Sequence, residues 1–458
     1  MCILLISTNC IFLLDNSPSF LYYILVCEFF NARRFPMKGS FKTILIVGFA
    51  LFSMLFGAGN VIFPPYLGLG CGSRWIEGFL YYYIADIGLA LACLFAISRI
   101  GGHRAITRRL GPAASELLIC VIILCIGPML GIPRTAASTF EMSVLPLFPR
   151  VNPVLFSVLF FALIAVLCLK ESAVVDIIGK MLTPMLMVGL VILIVQGCIH
   201  PIGPVSGKIL VDNVPVTGIQ AGYQTMDVLA VVIFGILISK SVTEKGFTKL
   251  YQQRRIVFGA GMVAGVSLLA MYLGLTYLGV TASGMFDLTV DHTFLVTTIV
   301  HMLLGQTGTI IFAVVVALAC ITTAVALVSS CADYFSNLTG GRIRYVWLVI
   351  VICGFSSVVT TFGLNQIIAI AAPILDVVYP PTLLIIVLSY FDKWIKNDWV
   401  FRLGALGACL VSVLTVAQKF GAPLDFLNLL PLHSYGFSWL VPALIFAAAG
   451  FLVPGRNK

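Results

Sequence analysis

One apolar segment, residues 48–67, carries glycines and prolines in its middle. Gly57 and Gly59 tolerate backbone angles that other residues resist, and Pro64 and Pro65 have no amide hydrogen to donate within a helix. In hydrocarbon, a backbone group without a partner costs several kcal/mol, so irregular backbone occurs where it lines a cavity or holds a solute. The segment therefore predicts a membrane-spanning helix interrupted at a binding site, which is typical of transporters.

The rest of the chain is apolar enough to cross a membrane many times. Of its 458 residues, 60% are hydrophobic and 10% are charged, whereas about a quarter are charged in soluble proteins. Continuous apolar runs of about twenty residues recur along nearly the whole length, and such a run crosses a bilayer as a helix. Their continuity argues against a β-barrel, whose strands alternate. We therefore predict an all-α polytopic membrane protein in contact with lipid.

Basic residues predict the orientation in the membrane. Most of the 27 lysines and arginines fall in alternate gaps between the apolar runs, and such residues concentrate on the cytoplasmic side. This places both termini in the cytoplasm and explains the net charge of +9 without nucleic-acid binding. The 13 cysteines include no Cys-x-x-Cys pair, so no cofactor is predicted. About twelve spans are predicted, at 43–67, 76–98, 114–135, 153–169, 179–199, 222–239, 256–280, 309–336, 345–362, 366–390, 400–418 and 436–454.

The first 36 residues differ from the remainder. Residues 1–36 contain two apolar runs that are too short to span a bilayer comfortably. No basic residue precedes the first run, so a signal peptide is a poor interpretation. Met37 begins a basic stretch that leads into the first span. We predict that residues 1–36 are a non-native or dispensable leader and that residues 37–458 form a single transporter domain.

The spans divide into two blocks of similar length. Spans one to five cover about 43–199 and spans six to ten about 222–390, followed by two further spans at about 400–454. An odd number of spans per block inverts the second block relative to the first, as in transporters built from inverted repeats. We expect discontinuous helices in spans one and six, although helix breaking is less explicit in span six, which contains no proline.

Interrupting span one creates two half-helices with different chemistry. The N-terminus of the second half carries partial positive charge and amides without helical partners, which suit a carboxylate. The C-terminal end of the first half, near Ser53 and Phe56, offers carbonyl oxygens to a small cation. A plain proline kink packed against neighbouring helices is the alternative interpretation. The segment predicted to bind a carboxylate comprises Gly57, Ala58, Gly59 and Asn60.

A second group of oxygen atoms lies in span eight. Thr322 and Thr323 carry hydroxyl oxygens, and the carbonyl of Ala319 lies about one helical turn earlier. Hard cations prefer clustered oxygen ligands, so these residues are candidate ligands for Na⁺. The alternative is that the hydroxyls bond to their own helix or to a neighbouring helix, which is common in membranes.

Several charged residues lie within the predicted spans. A carboxylate at the centre of a span costs about 2.5–3.5 kcal/mol, so such acids face the interior of the bundle or are paired. Asp227, which follows Met226 in span six, is predicted to bind an amino group or to cap a broken helix. For Asp86 and Asp376, a structural partner and a functional role are equally good interpretations. Arg134, late in span three, is expected to reach the outer interface rather than to pair with an acid.

Four motifs together resemble those of the bacterial branched-chain amino-acid:cation symporters. The resemblance extends over about residues 38–455, and the motifs occur in the same order. They are Phe56-Gly-Ala-Gly-Asn-x-Ile-Phe-Pro-Pro65, Gly127-Pro-Met-Leu-x-Ile-Pro-Arg-Thr-Ala136, Gly222-Tyr-x-Thr-Met-Asp-x-Leu-Ala230 and Ala319-Cys-Ile-Thr-Thr-Ala324.

The resemblance implies a leucine-transporter-type fold, in which five-plus-five inverted repeats surround a site at the membrane midplane. It implies import of leucine, isoleucine and valine across the bacterial cytoplasmic membrane, coupled to Na⁺ or H⁺. It also implies a sodium ion between the broken first span and span eight. By position, the ligands of that ion would be Ser53, Phe56, Ala319, Thr322 and Thr323.

The predicted mechanism is secondary symport. The substrate carboxylate lies at Ala58, Gly59 and Asn60, the ammonium lies near Met226 and Asp227, and the aliphatic tail lies between spans one, three, six and eight. A carrier for another neutral or aromatic amino acid stays open, because one methylene in an apolar pocket is worth only about 1–3 kcal/mol. A passive channel is the alternative from another class. An enzyme is not expected, since the sequence contains neither His-Glu-x-x-His nor Gly-x-Ser-x-Gly.

Overall fold

A computed structural model describes residues 40–100, 106–169, 173–205 and 207–454. Throughout these ranges every regular element is helical and no strand occurs, which confirms the predicted all-α class. The described residues from Ile44 onward form one compact unit. The predicted leader, residues 1–36, lies outside the described residues.

The α-helices of the described residues are labelled α1 to α16 in chain order. Three π-helical segments occur among them: Ile84–Gly88 joins α3 to α4, Cys125–Met129 joins α5 to α6, and Phe140–Val144 extends α6. The α-helices are α1 (Ser40–Leu55), α2 (Ala58–Cys71), α3 (Trp75–Tyr83), α4 (Leu89–Ile100), α5 (Pro112–Leu124), α6 (Gly131–Thr139), α7 (Pro153–Leu169), α8 (Ala173–Ile199), α9 (Val214–Thr225), α10 (Asp227–Glu244), α11 (Leu250–Thr281), α12 (His292–Leu338), α13 (Tyr345–Thr360), α14 (Leu364–Tyr390), α15 (Asp398–Lys419) and α16 (Leu440–Ala449).

Many of these helices suit a bilayer. By length and composition, six helical stretches of the described ranges are long and apolar enough to cross a membrane. Large apolar side chains such as Leu159 and Trp347 are more than half exposed, as expected for surfaces that face lipid rather than water. The six stretches are Gly59–Ile100, Pro112–Val144, Leu250–Thr281, His292–Leu338, Leu364–Tyr390 and Asp398–Lys419.

The first helix interruption lies between α1 and α2. The amide of Phe56 still donates to the Phe52 carbonyl at 2.8 Å, but the amide of Gly57 turns back to the Leu55 carbonyl at 3.0 Å. The predicted break near Gly57 is therefore confirmed. Gly57 has φ −104° and ψ −173°, an extended conformation that any residue adopts, so the break does not depend on glycine at this position.

Pro64 and Pro65 lie inside α2 and do not interrupt it. The expectation that these prolines help to break span one is therefore wrong. Close packing of α11 supports the proline-containing turn, because a Cβ on Gly279 would lie 1.8 Å from the Pro65 carbonyl oxygen. Membrane helices approach this closely only through small residues.

The second interruption separates α9 from α10 at Met226. Met226 has φ +65° and ψ +15°, in the left-handed region that residues other than glycine rarely adopt. The predicted discontinuity of span six is confirmed, although its first half begins at Val214 rather than near residue 222. Asn213 fixes that start by accepting a hydrogen bond from the Val216 amide at 3.2 Å. Because α9 contains polar residues and glycines, it does not form a continuous apolar run, and apolar runs alone did not predict this half.

Two further irregularities shape the spans. The predicted span eight is the second part of α12, which turns at Gly305 with φ +63°, a conformation that favours glycine. Asp86 lies in the π segment Ile84–Gly88, and this segment packs against α9, where Thr225 ends the helix. Such π segments are frequent at functional sites.

Candidate functional site

The two helix interruptions meet at a buried cavity of about 50 Å³. Its walls include the end of α1, the N-terminal part of α6, the α9–α10 junction and the middle of α12. A cavity needs about 10–15 Å³ of such volume to hold one water molecule, so this cavity has room for a few waters and is smaller than an amino acid. Five of the predicted site residues line it, namely Gly57, Asn60, Met226, Asp227 and Thr323.

Asn60 connects the two interruptions. Its side chain is 1% exposed, and its Nδ2 lies 2.6 Å from the Leu55 carbonyl oxygen and 2.9 Å from Asp227 Oδ2. The hydroxyl of Tyr272, in α11, lies 2.5 Å from the same nitrogen. An amide nitrogen carries two hydrogens, so three oxygens compete for two donors. The Asn60 amide therefore satisfies at most two of these oxygens at a time, and the Asp227 carboxylate keeps capacity for another donor, such as an ammonium group.

Arg134 lies inside the protein, not at the outer interface. It is 7% exposed, and its guanidinium donates to the carbonyls of Gln224 and Thr225. These carbonyls end α9 and have no helical amide to receive, so the cation stabilises the C-terminus of the helix. The expectation that Arg134 reaches outward is wrong, because α6 turns the residue toward the α9–α10 junction.

Gly59 gives the guanidinium its room. A Cβ at Gly59 would lie 2.8 Å from Arg134 Nη2 and 3.3 Å from the ring of Phe63. The guanidinium carbon also lies 5.7 Å from the centroid of that ring, within range of a cation–π interaction. The partial positive charge at the N-terminus of α2 thus lies beside the full positive charge of the Arg134 guanidinium. This arrangement suits an anion.

The carbonyls at the end of α1 lose their regular helical pattern. In an unbroken helix the amide of Asn60 would bond to Phe56, but it bonds to the Gly57 carbonyl at 3.2 Å. The amide of Gly57 likewise bonds to Leu55 rather than to Ser53. The break therefore redirects backbone groups at the position where a cation was predicted.

The structure brings the span-eight candidates only partly to this place. Thr323 lines the cavity. Thr322 donates its hydroxyl hydrogen to the Ala319 carbonyl of its own helix at 2.9 Å. This is the alternative interpretation of the motif, in which the hydroxyl bonds within its helix. Ala319 and Thr322, like Ser53 and Phe56, are not among the lining residues. Within the described ranges, no group of three or more His, Cys, Asp or Glu side chains is arranged to hold a metal ion.

Sequence comparison decides the family. A family model described as "Branched-chain amino acid transport protein" matches residues 40–456. The chain belongs to this family. The transporter is 34% identical over 428 residues to the branched-chain amino acid permease BraB of Bacillus subtilis (strain 168). This alignment covers 90% of the chain and 95% of BraB. It is also 31% identical over 434 residues to a protein of Staphylococcus aureus (strain USA300) named "Putative branched-chain amino acid carrier protein". That alignment covers 90% of the chain and 96% of the relative. The predictions of a transporter and of no enzyme are confirmed.

Solved structures show the fold of the transporter. Mhp1, a nucleobase-cation-symport-1 family transporter in a closed conformation with bromovinylhydantoin bound, superposes with a TM-score of 0.59 at 14% identity, covering 89% of this chain and 92% of Mhp1. A manganese transporter of Eremococcus coleocola has a TM-score of 0.56 at 13% identity, covering 91% and 96%. At such identities the likeness concerns the fold alone. Together with the apolar helices, it describes a multi-pass membrane protein.

The remaining acids in the spans of the transporter have different surroundings. Asp376 pairs with Lys419 at 2.7 Å, and both side chains are partly exposed. Asp376 therefore has the structural partner that one interpretation expected, and such exposed pairs contribute about 0–1 kcal/mol. Asp86 is fully buried and accepts a hydrogen bond from Thr225 Oγ1 at 2.7 Å. It therefore lies directly beside the interruption of span six.

Sequence reasoning missed two contributors to the site. A signal for Arg134 was present, since an arginine inside an apolar span marks function more often than chance. Tyr272 carries no such signal, because only the packing of α11 brings its hydroxyl to Asn60. Long-range packing of this kind is not encoded in local spacing.

Proposed function

We propose that this protein is a secondary active symporter that imports leucine, isoleucine and valine across the bacterial cytoplasmic membrane, coupled to Na⁺ or H⁺. The observation that carries the proposal is the 2.9 Å hydrogen bond between Asn60 and Asp227, because it joins both helix interruptions at one buried site. Family membership and the named function of BraB support the substrate class. We also propose about twelve spans arranged as five-plus-five inverted repeats, on the spacing of the apolar runs; the likeness to Mhp1 supports a transporter fold.

The substrate carboxylate binds at the N-terminus of α2. The amides of Ala58, Gly59 and Asn60 begin this helix, and a helix N-terminus stabilises an anion by about 0.3–1 kcal/mol, and by up to about 2 kcal/mol when partly buried. Arg134 adds a full positive charge beside Gly59. The carboxylate is therefore held by backbone dipoles and a guanidinium together.

The substrate ammonium binds Asp227, at the start of α10. Asp227 Oδ2 already accepts from Asn60 and has capacity for a second donor. The aliphatic tail lies against Ile126, Phe234 and Leu327, apolar residues of the same cavity. Because the cavity measures about 50 Å³, binding requires the helices around it to separate, and the substrate favours the wider conformation.

For coupling to Na⁺, the ion binds between the end of α1 and α12. Moving one monovalent cation inward across 100 mV contributes about 2.3 kcal/mol. Since about 1.4 kcal/mol changes an equilibrium tenfold, one cation supports roughly fortyfold accumulation. Its proposed ligands are Ser53, Phe56, Ala319, Thr322 and Thr323.

Uptake of labelled leucine into liposomes containing the purified protein tests this function. Inward Na⁺ and proton gradients are imposed separately. We expect accumulation above equilibrium with at least one gradient, loss of accumulation with an ionophore, and stronger competition by isoleucine and valine than by phenylalanine. Mere equilibration of leucine would indicate the passive channel, and stronger competition by phenylalanine would indicate a carrier for aromatic amino acids.

A further inference from the structure

A second polar cluster lies beside the proposed site, around Asp86. The residue is fully buried in the π segment Ile84–Gly88. Its Oδ1 accepts from Thr225 Oγ1 at 2.7 Å. Its Oδ2 is buried and has no hydrogen-bond partner in the part of the chain that the structure describes. A buried carboxylate oxygen without a donor is costly, so this oxygen is the place where a further ligand is needed.

Tyrosines surround the same position. The hydroxyls of Tyr82 and Tyr379 are buried, and that of Tyr82 lies close enough to Asp86 to hydrogen-bond with it. Both interact electrostatically with Asp86 and Asp227. The ring of Tyr82 packs on that of Tyr272 with centroids 5.7 Å apart. These hydroxyls are able to donate or accept, so they accommodate either protonation state of a neighbouring carboxyl group.

The charges of the cluster do not balance. Asp86 and Asp227 are close enough to share a hydrogen bond, and Arg134 interacts with both. Two ionised carboxylates and one guanidinium leave one uncompensated negative charge in a buried site, which is strongly unfavourable. Two adjacent carboxyl groups avoid this cost by keeping one proton between them.

A proton suits this position better than a metal ion does. A metal ion needs space and several oxygen ligands, but Asp86 is not among the residues that line the cavity. Arg134 already supplies one positive charge to the cluster, and this charge would repel a metal cation. A proton occupies no cavity and makes the three charged groups neutral together.

We propose that Asp86 and Asp227 form a carboxyl pair that binds one proton, and that this proton is transported with the amino acid. The inference rests on the symport function proposed above. The proton forms an O–H bond at Asp86 Oδ2, and Asp227 stays ionised to receive the substrate ammonium. The neutral Asp86, Asp227 with the ammonium, and Arg134 with the substrate carboxylate leave the loaded site without net charge. Opening to the cytoplasm breaks the O–H bond, and water accepts the proton.

The other charged and titratable groups facing Asp86 come from helices α3, α6, α10, α11 and α14. Tyrosine and arginine keep their protons near neutral pH, so the carboxyl pair is the group that exchanges one. The facing residues are Tyr82, Tyr83, Arg134, Asp227, Tyr272 and Tyr379.

Exchange and accumulation separate this inference from the proposed function. In liposomes, exchange of external labelled leucine for internal leucine without ion gradients tests substrate recognition alone. An acid-outside pH gradient in Na⁺-free buffer then tests coupling, while an internal dye records leucine-dependent acidification. A gradient of about one pH unit supports up to roughly tenfold accumulation. Absence of exchange would overturn the proposed function and this inference with it. Exchange without pH-driven accumulation or acidification would overturn this inference alone.

Asp86→Asn tests the assignment to the pair. Asparagine keeps the size and neutrality of the protonated acid but exchanges no proton, so the pH gradient should no longer raise leucine above equilibrium in this variant. Glu141→Gln is the matched control, because Glu141 is another carboxyl within an apolar span and accepts from the Leu364 amide at 2.9 Å. It should keep wild-type coupling. Wild-type coupling in Asp86→Asn, or equal loss in Glu141→Gln, would overturn the assignment. If Asp86→Asn does not fold, the acidification measurement on the wild-type protein still tests whether a proton enters with leucine.

Discussion

At the scale of single residues, the site depends on the contact between Gly59 and Arg134. The guanidinium donates to the carbonyls that end α9 and also lies against the first turn of α2. One side chain therefore stabilises an interrupted helix and supplies positive charge beside the other. Local spacing does not reveal this double role, because the two partners of Arg134 are distant in sequence.

Gly59→Ala should weaken leucine binding. Its Cβ would lie 2.8 Å from Arg134 Nη2, and overpacking of this kind costs about 1–3 kcal/mol. We expect roughly tenfold to hundredfold weaker binding, measured as the leucine concentration at half-maximal binding to purified protein. Gly189→Ala is the control, since a Cβ there meets nothing within 4 Å. Equal affinities for both variants would contradict the proposed carboxylate site.

Thr322→Val and Thr323→Val should weaken cation activation more than folding. Valine keeps the shape of threonine but removes the oxygen that a cation requires. We expect higher Na⁺ concentrations for half-maximal uptake, with little change in unfolding temperature. Thr415→Val is the control, because this hydroxyl also bonds to its own helix, at Val411, but belongs to α15. Unchanged Na⁺ activation in both span-eight variants would count against that cation site.

At the scale of elements, the two interruptions arise by different physical means. Near Gly57 the chain becomes extended, and glycines close to the break made it predictable. At Met226 a single residue adopts a left-handed conformation without glycine or proline, so local residue types did not indicate the position of this interruption. The prolines of α2 show the converse, because tertiary packing against α11 keeps a helix intact where local rules predict a break.

A pair of substitutions at Met226 tests the second interruption. Met226→Ala and Met226→Gly remove the same buried side chain beyond Cβ, but only glycine adopts the left-handed conformation without cost. That cost is about 1–2 kcal/mol for other residues, so Met226→Gly should be the more stable of the two. Unfolding of both purified variants, followed in denaturant, measures the difference. Equal stability would show that the left-handed turn is not maintained.

At the scale of the whole molecule, transport requires the small central site to open. The central cavity measures about 50 Å³, whereas another cavity, lined by Glu141, Asp291 and His301 among others, measures about 1040 Å³.

Apolar runs and motif order predicted the helical class and the family. The motifs placed Asn60 and Asp227 around one substrate, but they did not predict the contacts of Tyr272 and Arg134 there, because those contacts join residues far apart in the chain.

An experimental structure of the full chain in a lipid nanodisc, solved with leucine, would show whether the substrate occupies the central site. We expect leucine between the two interrupted helices, with its carboxylate at Gly59 and Arg134 and its ammonium at Asp227. Leucine bound instead in the larger cavity beside Glu141, or a regular helix continuing through Gly57, would contradict this expectation.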